Sequence, residues 1–173
     1  MNGIALFEKI NNLASAYKSL DWAGIFFADY LLYIVGAAIL IILFVKHTRL
    51  MAISILVSVF LSRIIIAEPL KQIFHRARPY VSLENVRKLV AENSDYASFP
   101  SGHAAIFFAI ATAIFFFNRK LGIFSFVIAL LVGVARVYVG VHWPIDVVVG
   151  AFVGIIAGII TNKLIILPLI KQL

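Results

Sequence analysis

Five long apolar runs, each bounded by short polar clusters, constrain this chain more than any other feature. They cover residues 22–45, 50–70, 103–117, 121–137 and 144–170. A bilayer crossing takes roughly 20 apolar residues, and in hydrocarbon the backbone must satisfy its own hydrogen bonds, which a helix does. The pattern predicts an all-α polytopic membrane bundle with five transmembrane helices, folded as one domain over residues 1–173. Composition agrees: 63% of the residues are hydrophobic and the mean hydropathy is +1.05, against about 45–50% apolar in soluble domains.

Residues 1–21 are too polar to span. Leu6, Ile10, Leu13, Tyr17 and Leu20 recur at helical spacing, which predicts an amphipathic helix at the membrane surface. Trp22 then marks an interface. Inside the runs, Asp29 must face protein or water. Arg63 and Glu68 are expected to pair with each other or with Asp29, as a structural ion pair. Residues 80–99 read as an extracytoplasmic loop holding a short helix through Leu83, Val86, Leu89 and Val90, with Ser82 as its N-cap. Gly150, Gly154 and Gly158 repeat every four residues, giving the last helix a flat face for close packing.

Charge and composition exclude several classes. The net charge is +7, but many of the Lys and Arg residues sit between the apolar runs, where they orient the chain or meet phosphate head groups. No basic stretch interleaves with exposed aromatics, so nucleic acid is not an expected partner. The chain has no cysteine, which excludes disulfides, thiol catalysis and cysteine-based metal sites. The N-terminus lacks the ordered basic, apolar and small-residue regions of a cleaved signal peptide.

Five crossings place the end of the second run, the start of the third, the end of the fourth and the start of the fifth on one side. The opposite side holds Lys46, Arg49, Arg119, Lys120 and Lys171. By the positive-inside bias that side is cytoplasmic, so the other faces the periplasm or exterior of an inner or plasma membrane.

Three polar clusters meet on the outer side. Lys71 and Arg78 come from the first and Arg136 from the third; three converging cations resist leaving water unless an anion sits among them. Arg offers planar bidentate contacts that suit phosphate, and Lys adds a point charge. The second cluster is Ser98-Phe99-Pro100-Ser101-Gly102-His103, a turn opening a helix. Its Ser101 is a candidate N-cap, and Gly102 and the first-turn amides form an anion site. His142 and Asp146 lie four apart across a helix start. A hydrogen bond from one ring nitrogen to Asp146 leaves the other as a lone pair aimed at the anion, an oriented nucleophile. His103, on another element, is placed to protonate a leaving oxygen. No carboxylate cluster is available to hold magnesium, so no metal or other cofactor is expected.

Lys71 with Arg78-Pro79, then Pro100-Ser101-Gly102-His103, then Arg136 with His142 and Asp146, resembles the signature of the type 2 phosphatidic acid phosphatases. That family includes bacterial undecaprenyl-diphosphate phosphatases and lipid A 1-phosphatases, and shares its site with vanadium haloperoxidases. The resemblance implies hydrolysis of a lipid phosphate or diphosphate taken from the bilayer. It implies that His142 forms a phosphohistidine, that Asp146 orients it, and that His103 protonates the leaving group and then activates water. Lys71, Arg78, Ser101, Gly102 and Arg136 would hold the phosphoryl oxygens. The sequence departs from the pattern at Ala135, where the family usually has Ser, and in having five crossings where six are common. Two other readings stand beside it: a lipid-phosphate binding or transport protein without turnover, and an intramembrane serine protease using Ser101.

Overall fold

The computed structural model describes residues 2–170; Lys171, counted above among the cytoplasmic cations, lies outside them. Among the described residues every regular element is helical. They are α1 (Asn2–Asn11), α2 (Lys18–Phe44), α3 (49–74), α4 (Pro79–Ser82), α5 (Gly102–Phe117), α6 (Arg119–Tyr138) and α7 (Pro144–Ile166), the last extended by a turn at Leu167–Ile170. Four helical stretches, those of α2, α3, α6 and α7, are long and apolar enough to cross a membrane. The fifth predicted crossing, α5, has 16 residues, about 24 Å at 1.5 Å per residue.

Helix α5 is the centre of the bundle. Ala104, Ala105, Phe107, Ala109, Ala111 and Ala113 are all buried on it, and the small side chains let its neighbours close in. The glycine repeat of α7 is the opposing surface: a Cβ at Gly154 would lie 2.4 Å from the Ala105 carbonyl oxygen and 2.8 Å from the Ala109 nitrogen. Outward, Tyr33, Ile41 and Phe44 of α2 and Phe124 and Leu130 of α6 are exposed. Apolar surface on this scale is unusual facing water and ordinary facing lipid.

Two of the spanning helices carry a π-turn on the rim side, Phe26–Tyr30 in α2 and Leu61–Ala67 in α3. Such turns insert one residue into the helical ladder and are frequent at functional sites. The first contains Asp29 and the second Arg63.

The N-terminal segment differs from the single helix expected over residues 1–21. Helix α1 ends at Asn11, and Lys18 onward belongs to α2. Ser15 adopts a left-handed conformation (φ 63°) between them, and its N–H donates to Asp21 Oδ1 at 2.9 Å. The reason is tertiary. Phe7 is buried against Trp143, ring centroids 5.3 Å apart. Asn11 Nδ2 donates to the carbonyls of Arg87 (2.9 Å) and Tyr138 (2.8 Å), and its Oδ1 accepts from the Arg87 N–H. One face of α1 is thus clamped to the loops, while Ile4, Leu6 and Leu13 remain exposed.

The helix expected at Leu83–Val90 does not form. The helical turn comes earlier, at Pro79–Ser82, so Ser82 closes a turn instead of opening one. Beyond it the Leu89 N–H donates to the Val139 carbonyl at 3.1 Å. Leu83 and Val86 pack against Phe7 and Trp143, and Leu89 and Val90 against Tyr138 and Val139. These long-range anchors draw the backbone out of the helical spacing its apolar residues suggested.

Candidate active site

Every residue singled out in the three clusters lies at one rim of the bundle. Lys71 sits in the last turns of α3, Arg78 just before α4, Ser101 to His103 at the start of α5, Arg136 near the end of α6, and His142 and Asp146 around the start of α7. Ser101 is the N-cap of α5, its Oγ accepting from the Ala104 N–H at 3.5 Å. Its own N–H donates to the Asp146 carbonyl at 2.9 Å, which ties the opening of α5 to that of α7. Between α6 and α7 the chain reverses at Gly140, whose φ is +83° and where a Cβ would lie 2.6 Å from the Arg87 carbonyl oxygen. Only glycine meets both demands at low cost, and the reversal carries His142 back over the end of α6.

The three cations are nearly enclosed: Lys71, Arg78 and Arg136 are 8%, 4% and 2% exposed. Backbone carbonyls take part of their hydrogen bonding. Lys71 Nζ donates to Ala97 at 2.6 Å, Arg78 Nε to Ser94 at 2.7 Å, Arg78 Nη1 to Val141 at 2.9 Å, and Arg136 Nη1 to Ala28 at 3.0 Å. The Ala28 carbonyl belongs to the π-turn of α2. The remaining partner of both arginines is one carboxylate. Glu92 pairs with Arg78 Nη2 at 2.8 Å and with Arg136 Nη2 through its other oxygen. Buried charges require compensation of this kind.

His142 is fully enclosed, and its Nε2 lies 3.4 Å from Arg78 Nη1. Burial first, and then the positive charges of Arg136, Arg78 and Lys71, hold its pKa well below the ordinary histidine range. The imidazole is therefore neutral and keeps a lone pair, as a nucleophile requires. The expected hydrogen bond to Asp146 does not form. His142 Nδ1 is 3.7 Å from Asp146 Oδ2 and has no other partner, beyond hydrogen-bond range. Asp146 is engaged elsewhere: Oδ2 accepts from Ser98 Oγ at 2.5 Å and from the Trp143 N–H at 3.0 Å, and Oδ1 accepts from Arg76 Nη1 at 2.8 Å. The carboxylate closes the capping box of α7 while lying next to the imidazole.

His103 is half-buried in the first turn of α5, and Asp29, Arg63, Lys71 and Arg78 are the charges that bear on it. Glu68 is the residue to which Arg63 is paired. Ala135 is buried among Tyr138 and Val139.

Sequence reasoning assigned no role to Glu92, Ser98 or Arg76. Charge balance carried a signal for Glu92, since three converging cations demand an internal anion when no ligand is bound. Ser98 and Arg76 stood inside clusters already noticed, but spacing alone does not say that both reach Asp146.

The family model described as the PAP2 superfamily matches residues 51–166. The Bacitracin transport permease protein BcrC of Bacillus licheniformis is 33% identical over 158 residues, covering 90% of this chain and 77% of that protein. The undecaprenyl-diphosphatase of Sulfolobus acidocaldarius is 34% identical over 155 residues, covering 87% and 72%. The crystal structure of Aquifex aeolicus LpxE superposes with a TM-score of 0.80 at 34% identity, covering 94% of this chain and 96% of that one.

Proposed function

This chain belongs to the PAP2 superfamily and is a membrane lipid phosphatase; from that premise we propose that it removes the terminal phosphate of a polyprenyl diphosphate at the outer rim of its bundle. The observation that carries the reading is the gathering of Arg78 and Arg136 around one small anion, the Glu92 carboxylate, with His142 Nε2 3.4 Å from Arg78. A space that takes a carboxylate between two guanidiniums suits a phosphoryl group. The diphosphate is preferred over lipid A 1-phosphate or a glycerophospholipid phosphate because two relatives, 34% and 30% identical over most of their length, are undecaprenyl-diphosphatases.

In this reading the substrate's phosphoryl oxygens lie against Lys71, Arg78, Arg136 and the start of α5 at Ser101 and Gly102. His142 Nε2 attacks phosphorus, an N–P bond forms, and the P–O bond to the lipid breaks. Asp146 takes the Nδ1 proton in a hydrogen bond as the ring becomes cationic. His103 supplies a proton to the departing oxygen and then removes one from the water that releases inorganic phosphate. All five apolar helices cross the membrane, as one domain, with the site facing the periplasm or exterior.

Phosphate release by purified protein from a panel of lipid phosphates, with and without a chelator, tests the reading. Release is expected in both conditions and is expected to be inhibited by vanadate, a phosphoryl mimic. The Bacillus licheniformis relative, a transport permease protein by name, favours a second reading, lipid-phosphate binding or transport without turnover. A His142→Ala variant that retains full transport, in a protein releasing no phosphate, supports that alternative.

A further inference from the structure

Arg63 stands outside the three motif clusters, yet it lies against the site. A Cβ placed on Gly102 would be 3.0 Å from Arg63 Nε and 3.4 Å from its Cζ. The guanidinium is therefore packed on the first residue of α5, beside His103. Its charge also bears on Lys71 and on His103. Its only carboxylate partner among the described residues is Glu68, on the same helix, and the two side chains are 32% and 42% exposed. A structural ion pair inside a membrane protein is expected to be enclosed. This one is half open, its cation packed on the start of α5, and it is carried by a π-turn.

Building on the diphosphatase reading, we propose that Arg63 holds the inner phosphate of a lipid diphosphate and so selects diphosphates over lipid phosphomonoesters. In-line displacement puts the leaving group opposite the attacking His142, on the side of the acid His103. Arg63 is next to that acid. When the bond between terminal phosphorus and bridging oxygen breaks, the electron pair stays on that oxygen. A diphosphate substrate then releases a lipid monophosphate, a stable anion whose growing charge a neighbouring guanidinium stabilises. A monoester releases an alkoxide, which needs a full proton from His103 and presents no inner phosphate to Arg63. The cation therefore acts on one substrate class and not on the other. Glu68 keeps it paired when the site is empty.

The test compares kcat/KM of wild type, Arg63→Ala, Arg63→Lys and the double variant Arg63→Ala/Glu68→Gln on a polyprenyl diphosphate and on dioleoyl phosphatidic acid in mixed micelles. Arg63→Ala is expected to lose about 30-fold on the diphosphate, as for one charge-assisted contact, and to stay within about threefold on the monoester. Arg63→Lys should recover part of the loss. The double variant should remain as defective as Arg63→Ala, because the missing group is the cation and not the balance of a pair. Inorganic diphosphate should inhibit Arg63→Ala less than wild type, with inhibition by inorganic phosphate unchanged. Equal losses on both substrates, no loss on either, or full recovery in the double variant overturns the role of Arg63. A wild-type protein that hydrolyses neither lipid overturns the diphosphatase reading instead.

Discussion

At the residue scale the proposed chemistry depends on keeping His142 uncharged among cations. Burial and three positive neighbours depress its pKa. The sign of the consequence follows from proton binding. The folded value lies below the unfolded one, so the contribution to stability is complete above about pH 6.5 and is lost as pH falls. Thermal unfolding in detergent is expected to show wild type losing more stability than His142→Gln between roughly pH 6.5 and pH 4.5. If His142 is the nucleophile proposed above, the same depression means that kcat/KM should hold until well below the usual histidine range, which a pH–rate profile reads directly. His142→Ala should release no phosphate above background. His103→Ala should be slowed by roughly 10²–10⁴-fold, the usual contribution of a positioned acid or base.

The packing of α5 against α7 and the segment 83–101 that covers the rim are matters of element scale. Gly154 meets backbone, not a flexible side chain, so a larger residue forces the helices apart. Gly154→Val is expected to cost about 1–3 kcal/mol or more, the range of overpacking with backbone displacement, and to lower Tm or abolish a monodisperse preparation. Gly36→Val, whose Cβ direction is open, should leave Tm nearly unchanged and serves as the control. In the covering segment Glu92 is the single carboxylate shared by Arg78 and Arg136. Glu92→Gln leaves two enclosed guanidiniums without their counter-charge, a loss on the order of 3–5 kcal/mol where a buried pair is broken. Ligand-free Glu92→Gln should therefore melt lower than wild type. It should regain more stability than wild type on adding vanadate, because the oxyanion supplies the missing charge. A thermal-shift series with and without vanadate measures both effects.

For the whole molecule, charge distribution bears on which way the rim faces. Arg49, Arg119 and Lys120 lie at the bundle end opposite the site, as the positive-inside bias requires for a site facing outward. The chain has no cysteine, so single cysteines introduced in loops report topology without background. Ser94→Cys is expected to react with a membrane-impermeant maleimide from outside intact cells, and Lys120→Cys only after permeabilisation. The reverse pattern would place the rim on the cytoplasmic side.

The periodicity and length of the apolar runs by themselves determined that this chain is helical and buries itself in lipid, because hydrocarbon leaves few other ways to satisfy a backbone. The order of the runs also put Lys71, Arg78, Ser101, Arg136 and His142 at one end of the bundle, since the ends of successive antiparallel helices share a side. What tertiary structure decided lies between those anchors. Leu89 bonds to Val139 instead of continuing a helix, α1 stops where Asn11 is clamped, and Asp146 answers to Ser98, Trp143 and Arg76 before His142. Glu92 has no local pattern that marks it. Its position follows from long-range charge compensation with Arg78 and Arg136, which depends on where distant segments are folded together and not on the residues beside it in sequence.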